Sequence, residues 1–197
     1  MKRLYFFILL LISNAVCLHA DSTDVISKMI ENALWQTGVT TGYDPAYRRL
    51  DYPGGDVDIE TGVCTDVVIR AFRAVKIDLQ VLIHEDMKAH FSKYPKNWGL
   101  KKPDRNIDHR RVPNIMTYLK RKKMDLPVTQ KGSDYKPGDL VTWKIPGNLD
   151  HIGIVVDVPV KGTDRFMVVH NIGRGARMED VLFEFEVTGH FRYFKLD

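Results

Sequence analysis

Cysteine is almost absent from this chain, which has two cysteines in 197 residues. One of them, Cys17, lies in an N-terminal stretch that has a basic start at Lys2 and Arg3, a short apolar run and a small residue at Ala20. These are the features of a secretory signal peptide. Cleavage after Ala20 would leave Cys64 alone, which excludes a fold held by internal disulfides. A single cysteine in an oxidising compartment is a hazard unless it is buried or used in chemistry.

Long hydrophobic runs are missing as well. The apolar stretch near the N-terminus is shorter than the about 20 residues that a membrane-spanning helix needs. We therefore predict a signal peptide at residues 1–20, a periplasmic or secreted protein and no stable membrane span after cleavage, with an uncleaved anchor as the alternative. No repeat or low-complexity tract divides the rest of the chain. Residues 21–197 are predicted to form a single domain and a monomer.

A strong excess of one charge is also missing. The chain has 29 basic and 25 acidic residues, and cleavage of the signal would remove two of the basic ones. This near balance argues against a nucleic-acid partner. A zinc-binding helix of the His-Glu-x-x-His type is missing too, because Lys88 stands four positions after His84 where the second histidine would be. We predict no metal and no cofactor.

Apolar spacing predicts helices in the first part of the chain and strands in the second. The predicted helices run from residue 23 or 24 to 38, from 64 to about 75, from 79 to 91 and from 113 to about 123. Residues 40–59 and 94–111 read as irregular connections. The predicted strands are 140–143, 151–156, 166–170, 181–186 and 191–194. Helices followed by an antiparallel sheet indicate an α+β domain.

Cys64 is predicted to begin the second of these helices. Gly62 ends a turn-rich loop, and Thr61 or Thr65 can cap the helix start. A thiol at this position feels unpaired backbone N–H groups and the positive end of the helix dipole, both of which stabilise a thiolate. We interpret Cys64 as a nucleophile, with a buried structural thiol as the alternative.

Two histidines can serve a nucleophilic thiol, which needs a base and a group that orients the base. His151 begins one predicted strand and His170 ends the next. If these strands pair, both imidazoles lie at one edge of the sheet, facing the helix that presents Cys64. The alternative is that both are ordinary strand residues with hydrogen-bonded polar ends.

These residues resemble the NlpC/p60 superfamily of cell-wall cysteine peptidases, which are compact relatives of papain. The shared features, in order, are Tyr52, Gly54-Gly55, Cys64, PGDL at 137–140, HIGI at 151–154 and His170. The chain is similar in particular to a bacterial branch classed as a domain of unknown function. That branch is marked by GVCTD at 62–66, HEDM at 84–87, IDHRRVPN at 107–114, PGDLVTW at 137–143, DHIGIV at 150–155 and VHNIG at 169–173.

The resemblance implies a papain-like fold, in which helices pack on a small antiparallel sheet and the catalytic cysteine stands at a helix N-terminus. It implies that Cys64 is the nucleophile, that His151 is the general base and later the general acid, and that His170 orients His151. Asn171 is the alternative orienting group. Tyr52 matches a tyrosine that helps to hold the oxyanion or substrate beside the backbone N–H of Cys64, with a packing role as the alternative.

The chain departs from the superfamily pattern around the cysteine. Where the superfamily usually has Asp-Cys-Ser-Gly, this chain has VCTD at 63–66, so substrate specificity cannot be transferred. Asp66 either binds a substrate amine or caps its own helix. His109, Arg110 and Arg111 form a cluster whose arginines either clamp a substrate carboxylate or belong to a surface loop held by Asp–Arg pairs.

We therefore expect an exported cysteine hydrolase that cleaves an amide bond in peptidoglycan stem peptides with a Cys-His-His triad. Peptidoglycan or a peptide is the expected substrate. One alternative is an acyltransferase or amidase that acts on another envelope amide. The other is a cell-envelope binding module without catalytic activity.

Overall fold

A computed structural model describes residues 22–194 of the chain. The signal peptide predicted at residues 1–20 lies outside the described residues. Within residues 22–194, no helix combines the length and the apolar character that crossing a membrane requires.

Four α-helices precede a six-stranded antiparallel sheet in the described part of the chain. The helices are α1 (Ser22–Val39), α2 (Cys64–Ala74), α3 (Leu79–His90) and α4 (Val112–Arg121). The strands are β1 (Asp125–Leu126), β2 (Leu140–Ile145), β3 (Leu149–Pro159), β4 (Phe166–His170), β5 (Arg177–Glu179) and β6 (Glu186–Phe191). Their spatial order is β1-β6-β2-β3-β4-β5. The predicted α+β class is confirmed.

Alternation along the strands divides the core into two layers. Ile152, Ile154 and Val156 of β3 face the helices and join the larger apolar cluster. Val155 of the same strand faces the other way and joins a smaller cluster around Trp143. The sheet is therefore covered on both faces, by the helices on one side and by loop side chains on the other.

Helix α2 is central to the larger layer. Its apolar side chains recur at helical spacing and are fully buried: Val67, Val68, Ala71 and Phe72. It packs against α1 on one side and β3 on the other. The amide of Gln36 on α1 donates a hydrogen bond to the carbonyl of Val67 at 3.0 Å. This packing fixes the N-terminus of α2, and hence Cys64, against the strand that carries His151.

The irregular loop before α2 is held by one buried cation. Arg70 is 5 % exposed and forms an ion pair with Asp56 at 2.8 Å. Its guanidinium also donates to the backbone carbonyls of Val57, Asp58 and Thr61. An irregular loop has no neighbouring strand whose N–H groups could bond to its backbone carbonyls. The buried arginine donates those hydrogen bonds instead.

The strand predictions at 181–186 and 191–194 are wrong. Residues 181–185 form a turn, and a single strand, β6, spans Glu186–Phe191. The apolar residues of that turn pack around Trp143, whose indole N–H donates to the carbonyl of Leu182 at 3.0 Å. Their apolar character thus reflects core packing without strand pairing. The short strands β1 and β5 were not predicted.

Candidate active site

Cys64 is the first residue of α2, as predicted, and only 5 % of it is exposed. The backbone N–H of Ile152, the residue that follows His151, acts to lower the pKa of the Cys64 thiol. The predicted caps are wrong, because Thr61 and Thr65 donate their hydroxyls to backbone carbonyls elsewhere. Asp66 caps the helix in their place.

His151 and His170 lie against each other on the paired strands β3 and β4. Nε2 of His151 is 2.8 Å from Nδ1 of His170, and both rings are buried. The predicted meeting of the two imidazoles is confirmed. The prediction that they face the helix of Cys64 is wrong, because the His151 ring lies 5.9 Å from the Trp143 ring, on the face of the sheet opposite Ile152 and the helices. Because Nε2 of His151 is engaged, Nδ1 is the nitrogen left to exchange a proton with a thiol.

Glu179 extends this pair on the side away from His151. One of its carboxylate oxygens lies 2.9 Å from Nε2 of His170. The oxygen stands off the direction of the ring N–H, so Nε2 makes no well-aligned hydrogen bond and the contact is mainly electrostatic. Burial lowers the pKa of His170, while the nearby Glu179 carboxylate acts in the opposite direction.

The Glu179 contact favours one tautomer for each ring. A carboxylate beside Nε2 of His170 favours a proton on that nitrogen, which leaves Nδ1 as an acceptor. His151 must then donate from Nε2, so its Nδ1 carries a lone pair. We assign these protons from the network, since hydrogen atoms are inferred from their partners.

Burial sets the charge of the Cys64 thiol and of the His151 imidazole. It raises the pKa of the Cys64 thiol to about 12, even though backbone N–H groups of Ile152, Thr65 and Cys64 act to lower that pKa. Burial also lowers the pKa of His151 to about 3. At neutral pH the pair is a neutral thiol and a neutral imidazole. Burial therefore outweighs the stabilisation of a thiolate that the helix start supplies.

Cys64 lies in the wall of a cavity of about 510 Å³ that opens to the surface. Three aromatic rings at its edge are well exposed: Tyr43 at 42 %, Tyr47 at 59 % and Trp98 at 39 %. The cavity also reaches Asp150, next to His151 in β3. We call this cavity the Cys64 cleft.

Tyr52, the tyrosine matched to the superfamily, does not line the Cys64 cleft. Its hydroxyl donates to Glu85 on α3 at 3.0 Å, and its ring stands edge-on to His84. Tyr43 and Tyr47 line the cleft with Cys64. Burial first and then the charge of a Cys64 thiolate raise the pKa of Tyr43. The position of Tyr52 therefore contradicts the predicted oxyanion role.

Asp66 and Arg110 form a buried ion pair beside the cleft. Nε and Nη2 of Arg110 each donate to one carboxylate oxygen, at 2.8 and 2.9 Å. Asp66 also accepts the backbone N–H of Val63 at 2.7 Å. Arg110 donates further to the carbonyls of Asp44 and Ala46. Both charged side chains are therefore structural, which leaves neither free for a substrate.

The side chains of Asn171 and His109 make no hydrogen bond to the histidine pair. The amide of Asn171 donates to the carbonyls of Gly42 and Gly62, so it holds two loops together and does not orient His151. His109 is buried in a short 3-10 turn (Asp108–Arg110), and burial lowers its pKa to about 3. Of the predicted cluster, only Arg110 and Arg111 reach the Cys64 cleft.

A family model described as a domain of unknown function, DUF1287, matches residues 30–193. The chain belongs to the DUF1287 family. The chain is also 53 % identical over 165 residues to the uncharacterized protein YijF of Escherichia coli (strain K12). That alignment covers 83 % of this chain and 80 % of the relative.

The match to DUF1287 includes every site residue described above, from Tyr43 to Glu179. Two residues of this DUF1287 site were missed from the sequence. Glu179 belongs to a strand of three residues with no apolar pattern, so nothing local marked it. Tyr43 lies in a loop that contains several aromatic residues. Exposed aromatic side chains mark binding surfaces, so this composition could have indicated the site.

Metal binding has no visible site in the described part of this DUF1287 chain. Between residues 22 and 194, no three His, Cys, Asp or Glu side chains come together in a way that could hold a metal ion. The absence of a metal and of a cofactor stays a prediction.

Proposed function

We propose that this DUF1287 protein is an exported cysteine hydrolase of the NlpC/p60 type, with a papain-like fold, that cleaves an amide bond in peptidoglycan stem peptides. The observation that carries the proposal is the 2.8 Å contact between His151 and His170 in a sheet whose strand β3 packs against α2, the helix that Cys64 begins. A base with its own orienting group and a cysteine at a helix start are the parts that a cysteine nucleophile needs. The predicted signal peptide supports export.

The first step of the proposed mechanism is a coupled transfer. The thiol and the imidazole are both neutral, and the His151 ring lies next to Trp143. The proposed step requires that ring to leave Trp143 and reach the sulfur, where Nδ1 takes the thiol proton as the sulfur attacks the substrate carbonyl carbon. The carbonyl oxygen becomes an oxyanion, which the backbone N–H of Cys64 and the hydroxyl of Tyr43 are the candidates to stabilise. His170 and Glu179 are positioning residues, because they act through His151.

The second step releases the amine and then the acid. His151 returns its proton to the leaving nitrogen, the C–N bond breaks, and a thioester joins the acyl group to Cys64. Water then attacks the thioester while His151 takes one of its protons. The products are a carboxylic acid, an amine and the regenerated thiol, so no external oxidant or reductant is required.

One observation favours a second candidate, a cell-envelope binding module without catalytic activity. The Cys64 thiol is almost fully buried and its pKa is raised to about 12, which is the state of a structural cysteine. Such a module would use the exposed aromatic rings of the cleft for binding and would have no need for the histidine pair.

The test is incubation of the purified protein with muropeptides, followed by mass analysis of the products. Cys64→Ala is the inactive control, and Cys64→Ser tests the need for sulfur at unchanged size. We expect a product with the mass of water added across one amide bond, and none from either variant. Binding without any product over a range of stem peptides would favour the binding module.

A further inference from the structure

Arg111 has hydrogen-bond donors that nothing in the described chain uses. Its side chain is 16 % exposed, yet its guanidinium makes no hydrogen bond within residues 22–194. The adjacent Arg110 makes four, to Asp44, Ala46 and both oxygens of Asp66. A mostly buried guanidinium without acceptors is costly. Arg111 therefore calls for an acceptor from outside the chain.

The guanidinium of Arg111 lies over the Trp98 ring at the Cys64 cleft. Its central carbon lies 4.1 Å from the centre of the Trp98 ring, a stacked cation–π contact. Nη1 is enclosed and lies 3.7 Å from Asp108, beyond hydrogen-bond distance. Nε and Nη2 are not enclosed, and together they form a two-donor edge that matches a carboxylate.

Among the described residues that line the cleft, no other cationic side chain has unused hydrogen-bond donors. Arg110 is committed to Asp66, and no lysine lines the cleft. The acidic residue of the wall, Asp150, is paired with Lys144 at 2.7 Å. Asp108 offsets part of the charge of Arg111 without using its open edge. A negative group entering the cleft therefore meets one free, oriented guanidinium.

We infer that Arg111, stacked on Trp98, is the specificity-determining residue of the Cys64 cleft and receives a carboxylate of the substrate on its Nε–Nη2 edge. The inference rests on the proposed function and deepens it by naming the substrate class. Preferred substrates are peptides with a free carboxylate close to the amide that is cleaved. The same peptides with that carboxylate amidated are poor substrates.

The experiment compares a synthetic stem tetrapeptide that has free carboxylates with the same peptide after every carboxylate is converted to a carboxamide. Calorimetry measures the binding of each to Cys64→Ala. We expect the free acid to bind about ten- to hundredfold more tightly, as for hydrogen bonds to a charged group. In Cys64→Ala with Arg111→Gln, both peptides should bind with the affinity of the carboxamide form. Arg49→Gln, at an exposed arginine outside the cleft, is the matched control and should keep the preference.

Arg111→Lys separates geometry from charge, because lysine keeps the charge and lacks the two-donor edge. It should keep only a small part of the preference. Equal affinities for the two peptides, no binding of either, or a preference that survives Arg111→Gln would each overturn the inference. If the wild-type protein forms products but shows no carboxylate preference, the role of Arg111 is contradicted and the proposed hydrolase function is not. A binding preference without any product contradicts the proposed function alone.

Discussion

Glu179 places a carboxylate oxygen 2.9 Å from Nε2 of His170, on the side of the ring opposite its contact with His151. Three side chains from neighbouring strands thus form one line, Glu179–His170–His151, that ends at His151 next to the Trp143 ring. His170 is buried and Glu179 is partly exposed at 42 % of its side chain. The line runs from solvent to the buried base.

Replacing Glu179 should weaken the base without removing it. In Glu179→Gln the tautomer of His170 is no longer fixed, so we expect the turnover rate to fall about tenfold. The carboxylate raises the pKa of His170 against burial, so its loss lowers that pKa further and should move the acid limb of the pH–rate profile to lower pH. Glu186→Gln, at an exposed position of β6, should change neither quantity. An unshifted acid limb in Glu179→Gln would contradict the positioning role.

The two candidate tyrosines can be separated by the loss of one hydroxyl. Tyr43→Phe should lower the turnover rate by roughly tenfold or more, because Tyr43 lines the cleft with Cys64. Tyr52→Phe should stay near the wild-type rate, since its hydroxyl serves Glu85 on α3. Steady-state kinetics on one muropeptide decides between them. The opposite order of effects would restore Tyr52 to the oxyanion site.

The thiol should react slowly in the folded protein. With a pKa of about 12, the thiolate fraction of Cys64 at pH 8 is about one in ten thousand. Iodoacetamide labelling followed by mass analysis should therefore be far slower than in the urea-denatured chain, whose thiol has an ordinary pKa. The labelling rate should still rise with pH above 9. Fast labelling of the folded protein at pH 7 would instead indicate a thiolate–imidazolium pair.

The ion pair between Asp66 and Arg110 should be the most sensitive charged contact near the cleft. Both side chains are at most 4 % exposed, so Arg110→Met leaves a buried carboxylate unpaired and should lower the free energy of unfolding by about 3–5 kcal/mol. Urea denaturation measures it. The double variant Asp66→Leu/Arg110→Met should be less destabilised than the sum of the single changes.

A matched control for this prediction is the exposed pair of Arg48 and Asp44. Arg48 is 57 % exposed in its side chain, so Arg48→Met should change the free energy of unfolding by no more than about 1 kcal/mol. Equal losses in Arg48→Met and Arg110→Met would show that burial does not distinguish the two pairs.

Local patterns and long-range packing contributed differently to this site. Helical spacing placed Cys64 at the start of a helix, and alternation placed His151 and His170 on successive strands. The same patterns failed at residues 181–185, where apolar residues that pack around Trp143 looked like a strand. They failed again at 191–194, where Tyr193 and Phe194 pack against Phe72. An apolar pattern shows that side chains are buried, and a buried turn can have the same pattern as a strand. The pattern therefore does not distinguish the two.

The amino-acid sequence by itself determined the helix that presents Cys64, the placement of His151 and His170 on successive strands and the family to which the chain belongs. Only the tertiary structure decided which tyrosines reach the cleft and which of two adjacent arginines is free. These choices depend on the path of the 40–62 loop and the turn at 108–110, which Arg70, Asn171 and Asp66 fix by bonds to residues distant in the chain. The raised pKa of Cys64 likewise comes from burial by the whole fold, which outweighs the backbone N–H groups at its own helix start.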